Sequence, residues 1–221
     1  MKRIEAQQIA KQYGKGDGAI TALKGVSFKI DAGEFVAVMG ESGSGKSTLL
    51  SIVGTLNSPT AGRLMVDDVD VYALTQDKRA DFRRESIGFV FQNFDLIPYL
   101  TLVENVMLPL ATIREKREKK RSMAHAALER VGLSQKIDRL PSQISGSEQE
   151  RVSLARAIAG RPPIILADEP TGNLDAKTGH EIMGVIDTLN SEGMTIMMVT
   201  HNSDYAAYAD RVLRVADGQL T

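Results

Sequence analysis

The octapeptide Gly40-Glu41-Ser42-Gly43-Ser44-Gly45-Lys46-Ser47 constrains this chain more than any other stretch. It fits the pattern G-x-x-x-x-G-K-[ST]. The apolar run Phe35–Met39 precedes it, and an apolar helix start at Leu49-Leu50 follows. A buried strand, a glycine-rich turn and a helix in that order make a phosphate-binding loop. Glycines let the backbone curl so that successive N–H groups point at phosphate oxygens, and the positive end of the helix reinforces them. In such a loop Lys46 neutralises the β- and γ-phosphates, and the Ser47 hydroxyl ligates Mg²⁺. The predicted nucleotide-binding residues here are Gly40, Glu41, Ser42, Gly43, Ser44, Gly45, Lys46, Ser47 and Thr48.

The rest of the chain is legible around that loop. A strand is predicted within Ile20–Ile30, ended by Asp31-Ala32-Gly33, and a hairpin over Arg63–Val71 turning at Asp67-Asp68. Thr101–Leu110 and Arg114–Val131 have helical character, and the mixed-charge run Arg114–Arg121 reads as a solvated helix face. From Gly146 onward the pattern is helix, buried strand Ile164–Ala167, helix Ala176–Asn190, buried strand Thr195–Val199. Strands alternating with helices imply parallel pairing through crossovers, so the fold class is α/β with a helical insert.

Two further clusters carry chemistry. The strand Ile164–Ala167 runs into Asp168-Glu169, with Asp168 placed to hold a Mg²⁺ shell and Glu169 to polarise a water for in-line attack on a γ-phosphate. His201 directly follows the strand Thr195–Thr200. In open parallel sheets, ligands bind beyond the carboxyl ends of the strands. Phosphate loop, carboxylates and histidine would therefore reach one sheet edge from three separate strands.

Composition narrows the remaining choices. Of 221 residues, 27 are Lys or Arg and 28 are Asp or Glu, a net charge of −1 that argues against a nucleic-acid partner. With no cysteine, disulfides and thiolate metal sites are excluded. The opening MKRIEAQQIA has two basic residues and no apolar run behind them, so no secretory signal is expected. No window approaches the roughly 18 apolar residues that a membrane span needs, so direct membrane insertion is not expected either. Any membrane role would come through a partner.

The motifs then acquire a family. Phosphate loop, Asp168-Glu169, Gly172-Asn173-Leu174-Asp175 and His201 occur in the order found in the ABC ATPases. Ile144-Ser145-Gly146-Ser147-Glu148-Gln149-Glu150-Arg151 resembles their signature sequence. Gln92 resembles the glutamine that links γ-phosphate and Mg²⁺ to the transporter-facing subdomain, and Tyr13 the aromatic that stacks on adenine. The resemblance covers nearly the whole chain. It implies a P-loop NTPase core, a RecA-like parallel sheet plus an antiparallel β subdomain, with a helical signature subdomain. The expected division of a single domain is 1–92 and 162–221 for the core with its β subdomain, and about 93–161 for the helical part.

What the resemblance implies for function is ATP hydrolysis with Mg²⁺. Glu169, His201 and Lys46 are the catalytic residues, and Ser47, Gln92 and Asp168 the metal-holding ones. Two copies of the chain would sandwich each ATP between one copy's phosphate loop and the other's Ser145, Gly146 and Ser147. Gly172–Asp175 would lie at the same interface, and His201 against the γ-phosphate. The family usually has leucine where Ile144 stands and glycine where Ser147 stands. The serine adds a side chain where backbone approaches nucleotide, at a strain of order 1 kcal/mol.

Asn93–Leu110, NFDLIPYLTLVENVMLPL, and Thr171–Asp175 resemble the group that drives macrolide export and lipoprotein release. In that group the cassette sits on the cytoplasmic face of a transmembrane permease subunit, and dimer closure drives mechanical movement. Phe94, Leu96, Ile97 and Tyr99 are candidates to line the cleft for the permease's cytoplasmic helix, or equally to be core of the helical part. A second function stays open, that of a regulatory ATPase signalling to a membrane cell-division or cell-wall complex without transport. The soluble ABC proteins of DNA repair and translation fit poorly, since this chain has neither a long coiled-coil insertion nor a second cassette.

Overall fold

The computed structural model of the chain describes residues 2–221, the side chain of Asp17 excepted. In chain order the elements are β1 (Ile4–Tyr13), β2 (Ile20–Ile30), β3 (Phe35–Met39), α1 (Lys46–Val53), β4 (Ala61–Val66), β5 (Val69–Asp70), α2 (Gln76–Ser86), β6 (Ile87–Val90) and α3 (Leu102–Met107). There follow α4 (Arg117–Arg130), α5 (Gly146–Ile158), β7 (Ile164–Asp168), α6 (Ala176–Ser191), β8 (Thr195–Val199), α7 (Ser203–Ala206), β9 (Arg211–Ala216) and β10 (Gln219–Leu220).

The strands form two sheets. A four-stranded sheet has the order β2-β1-β4-β5, with every pairing antiparallel. A six-stranded sheet has the order β10-β9-β3-β8-β7-β6, parallel throughout except for β10 against β9. Strands buried on both faces divide their apolar residues between two cores at a period of two. Ile165 and Ala167 of β7, with Ile196 and Met198 of β8, face a core completed by α3, α4, α5 and α6. Ile164, Leu166, Met197 and Val199 face the other way, toward α1 and the antiparallel sheet. One sheet thus separates a helical layer from a β layer.

Several boundaries differ from the sequence reading for local reasons. The helix after the phosphate loop starts at Lys46, earlier than the apolar pair Leu49-Leu50, because Gly45 takes a left-handed φ of 107° and caps it. Thr101 caps α3 through a capping box with Glu104, and the apolar stretch finishes as a 3₁₀ turn through Pro109. The charged run contributes only from Arg117 onward to α4. The hairpin turns at Asp67-Asp68, with Val66 paired to Val69 and Asp67 at φ 52°.

Strand order positions the site. β3, β8 and β7 are consecutive neighbours, so the loops leaving their carboxyl ends emerge side by side. Those loops carry Gly40–Ser47, His201 and Glu169.

Candidate nucleotide site

The phosphate loop closes on a lysine. Lys46 is buried, and its Nζ donates to the carbonyls of Gly40 at 2.8 Å and Glu41 at 2.7 Å. This holds the ammonium above the loop, with one N–H still to direct. The glycines matter at two positions. Gly40 has φ 158°, and a side chain there would meet the Val215 carbonyl at 2.0 Å. Gly43 has φ 79° with open space where a side chain would sit, so ligand oxygens can approach the backbone there. Ser44 is buried, and its hydroxyl has no hydrogen-bond partner among the described residues. A polar, glycine-lined cradle with a captive ammonium fits phosphates.

The oxygens expected to hold a metal are also together. Ser47 Oγ donates to Asp168 Oδ1 at 3.3 Å across 121 residues of sequence. Burial holds the Asp168 carboxyl above the ordinary carboxylate range; Glu169 beside it pushes the same way, while the Ser47 hydrogen bond and Lys46 oppose. A hard cation between these oxygens would relieve that desolvation, so the pair suits Mg²⁺.

Glu169 sits at the centre of the next cluster. It takes φ 47°, and its N–H donates to the Val199 carbonyl at 3.0 Å, which fixes the turn leaving β7 against β8. Its Oε2 is approached by Gln92 Nε2 at 3.4 Å and His201 Nδ1 at 3.2 Å. Asn173, four residues on from Glu169, donates Nδ2 to the Gln92 carbonyl at 3.0 Å.

A cleft of about 470 Å³ runs between these groups. Gly40, Ser42, Gly43, Gly45, Lys46, Ser47 and Thr48 line one wall, and Gln92, Glu169 and His201 the other. Glu41 and Ser44 line an adjoining cavity of about 440 Å³ on the far side of the loop, toward Arg214 and Asp217.

Tyr13 and the Ser145–Ser147 segment do not line the cleft. Tyr13 is 41% exposed, its hydroxyl accepting from Asn57 Nδ2 at 2.7 Å and its ring lying 4.9 Å from the Lys11 ammonium. Ser145 caps α5 through a capping box with Glu148, and its Oγ lies 2.9 Å from that of Ser147. Ser145 and Gly146 are exposed, and among the described residues nothing lies within 4 Å of where a Gly146 Cβ would sit. Ser147 fits the first turn of α5 without a positive φ.

A second cleft, of about 450 Å³, lies between α2, β6 and the 3₁₀ turn after α3. Phe89, Phe91, Leu108 and Pro109 form its apolar surface, and Arg83, Arg84 and Arg156 its basic rim. Phe94, Leu96, Ile97 and Tyr99 are not among its lining residues. Leu96 packs on the helical core, and Tyr99 is 77% exposed.

Sequence reasoning overlooked Arg156, Asn57 and Lys11. Each acts on a segment distant in sequence, so no local pattern marks them.

Comparison with known proteins agrees with this geometry. The family model for ABC transporters matches residues 23–172. The chain is 45% identical over 217 residues to the uncharacterized ABC transporter ATP-binding protein MJ1508 of Methanocaldococcus jannaschii, covering 98% of this chain and 97% of that protein. It is 47% identical over 223 residues to the macrolide export ATP-binding/permease protein MacB of Syntrophobacter fumaroxidans. That match covers 100% of this chain but 31% of MacB, so the chain spans about a third of that relative. Among solved structures, the dimeric post-hydrolysis state of the ATP-binding cassette MJ0796 bound to ADP and Pi has a TM-score of 0.91 at 43% identity, covering 98% of this chain and 96% of that one.

Proposed function

The chain belongs to the ABC transporter family, and on that premise we propose that it is the ATP-hydrolysing subunit of an exporter or lipoprotein-release system. Its ATP-driven dimer closure would power a membrane permease. The observation that carries the reading is the meeting of Lys46, Ser47, Asp168, Glu169 and His201 at the carboxyl edge of three adjacent parallel strands.

In this mechanism Lys46 and the loop N–H groups hold the β- and γ-phosphates. Ser47, Asp168 and Gln92 would hold Mg²⁺, which would supply charge neutralisation to the phosphates. Glu169 accepts a proton from the water that attacks the γ-phosphorus in line. The bond to the β–γ bridging oxygen breaks, and ADP and phosphate result. His201 orients the γ-phosphate and the water. Tyr13 stacks on adenine. Ser145, Gly146 and Ser147 serve the second copy's ATP, which agrees with their not lining this chain's own cleft and with a cassette relative solved as a dimer.

The chain is read as one domain, with core 1–92 and 162–221 and a helical subdomain over about 93–161. Among the described residues no helix is long and apolar enough to cross a membrane. We place the chain on the cytoplasmic face of the membrane, held there by the permease. Exposed Tyr99 and Leu108 and the basic-rimmed cleft beside α2 offer the docking surface. The MacB relatives, which carry cassette and permease in one protein, favour the export reading over regulation.

The test is a pull-down from detergent-solubilised native membranes with Glu169→Gln and ATP, identifying bound proteins by mass. A permease with few spans and a large external domain supports the reading. Division or cell-wall proteins would move the assignment to the regulatory function, and recovery of no membrane protein would contradict it.

A further inference from the structure

The loop after β6 is held from two sides by side chains. Asn173 Nδ2, from the turn between β7 and α6, donates to the Gln92 carbonyl at 3.0 Å. Arg156, in the last turn of α5, donates Nη2 to the Phe94 carbonyl at 2.7 Å and Nη1 to the Asp95 carbonyl at 2.6 Å. Among the described residues, none of the turn and loop backbone–backbone hydrogen bonds involves residues 92–95, and Asp95 takes φ 47°. Three carbonyls of a four-residue stretch therefore depend on partners from two other elements.

The same glutamine projects its amide into the cleft, 3.4 Å from Glu169 Oε2. A shift of its backbone moves that amide, because the loop carries the side chain and its contact with Glu169 is a long one at 3.4 Å. Arg156 belongs to the helix that Ser145 caps, and Asn173 to the segment following Glu169. On the reading above, both segments meet the second copy when ATP is bound.

We infer that Asn173 is a positioning residue for hydrolysis: with Arg156 it sets the Gln92 backbone, so that the Gln92 amide is delivered to the cleft by the two segments that meet the partner subunit. This rests on the ATPase reading of the cleft. It differs from an interface role for Asn173, because the hydrogen bond lies within one chain. Displacement of a positioning group by about 1 Å can cost on the order of 100-fold in rate. Loss of one of three anchors is expected to cost about 10-fold in kcat. The phosphate loop is untouched, so the KM for ATP stays within about twofold, while the Mg²⁺ concentration for half-maximal rate rises several-fold.

The experiment is a double-mutant cycle on the full chain, comparing the parent, Asn173→Ala, Gln92→Ala and the double variant at saturating ATP, with Glu169→Gln as a control. Asn173 is exposed, so its truncation leaves the fold intact. If Asn173 acts through Gln92, Asn173→Ala slows the parent about 10-fold and leaves the Gln92→Ala rate unchanged. An equal loss in both backgrounds, or no loss in the parent, overturns the inference. A parental rate in Glu169→Gln overturns the ATPase reading itself, whatever the cycle gives.

Discussion

Nδ1 of His201 lies 3.2 Å from Oε2 of Glu169. β7 and β8 pair in parallel register up to Asp168 and Val199, so Glu169, one residue beyond β7, and His201, two residues beyond β8, emerge side by side. Glu169 completes the arrangement in a left-handed conformation that costs a non-glycine residue of order 1 kcal/mol or more. Its N–H bond to the Val199 carbonyl helps to offset that strain and aims the carboxylate back at the phosphate loop.

Lys46→Ala should weaken nucleotide binding itself. The charge-assisted hydrogen bonds of a buried ammonium to phosphate are each worth about 1.5–3 kcal/mol, so the Kd for ATP is expected to rise at least about 10-fold. Calorimetric titration checks this. An unchanged Kd would place the phosphates elsewhere.

Ser147→Gly should change ATPase activity by no more than about twofold. Ser147 occupies ordinary helical backbone, and its hydroxyl has a partner in Ser145. Glycine removes that contact and costs about 0.5–1 kcal/mol of helix stability, without opening the cleft. Steady-state rates of parent and variant decide it, and a large rise would show that the serine obstructs dimer closure.

Glu150→Gln should stabilise the chain at alkaline pH. Glu150 is 1% exposed on α5, its Oε1 has no partner among the described residues, and burial raises its pKa to about 8 despite the opposing charge of Arg156. The unfolded carboxyl titrates near its ordinary value of 4.5. Between these values the folded chain keeps a proton that the unfolded chain has released, so stability falls as pH rises toward 8. Glutamine removes that dependence. Tm should match the parent near pH 4.5 and exceed it above pH 8, a gain of up to a few kcal/mol. A Tm difference independent of pH would contradict the buried, protonated state.

Legibility in the sequence followed burial. Phe35–Met39, Ile164–Asp168 and Thr195–Val199 stand out because both faces of each are covered, which produces unbroken apolar runs. β1 escaped notice because Gln8 takes φ 50° and shifts the register between Ala6 and Ile9, which breaks the alternation of a half-buried strand. α2 carries only Ala80 and Phe82 as apolar residues, too few for a helical period. The site's chemical groups were legible as motifs, but the hydrogen bonds of Asn173 and Arg156 to the Gln92 loop were not. Those join residues 61 to 81 positions apart, and only the packed fold brings them together.

The most direct test of the central claim is hydrolysis and oligomeric state measured together on Glu169→Gln with saturating ATP and Mg²⁺. The account predicts that the variant binds ATP, turns over at least about 100-fold more slowly than the parent, and accumulates as a dimer by light scattering. Hydrolysis at the parental rate would contradict it, because some other group would then be the base.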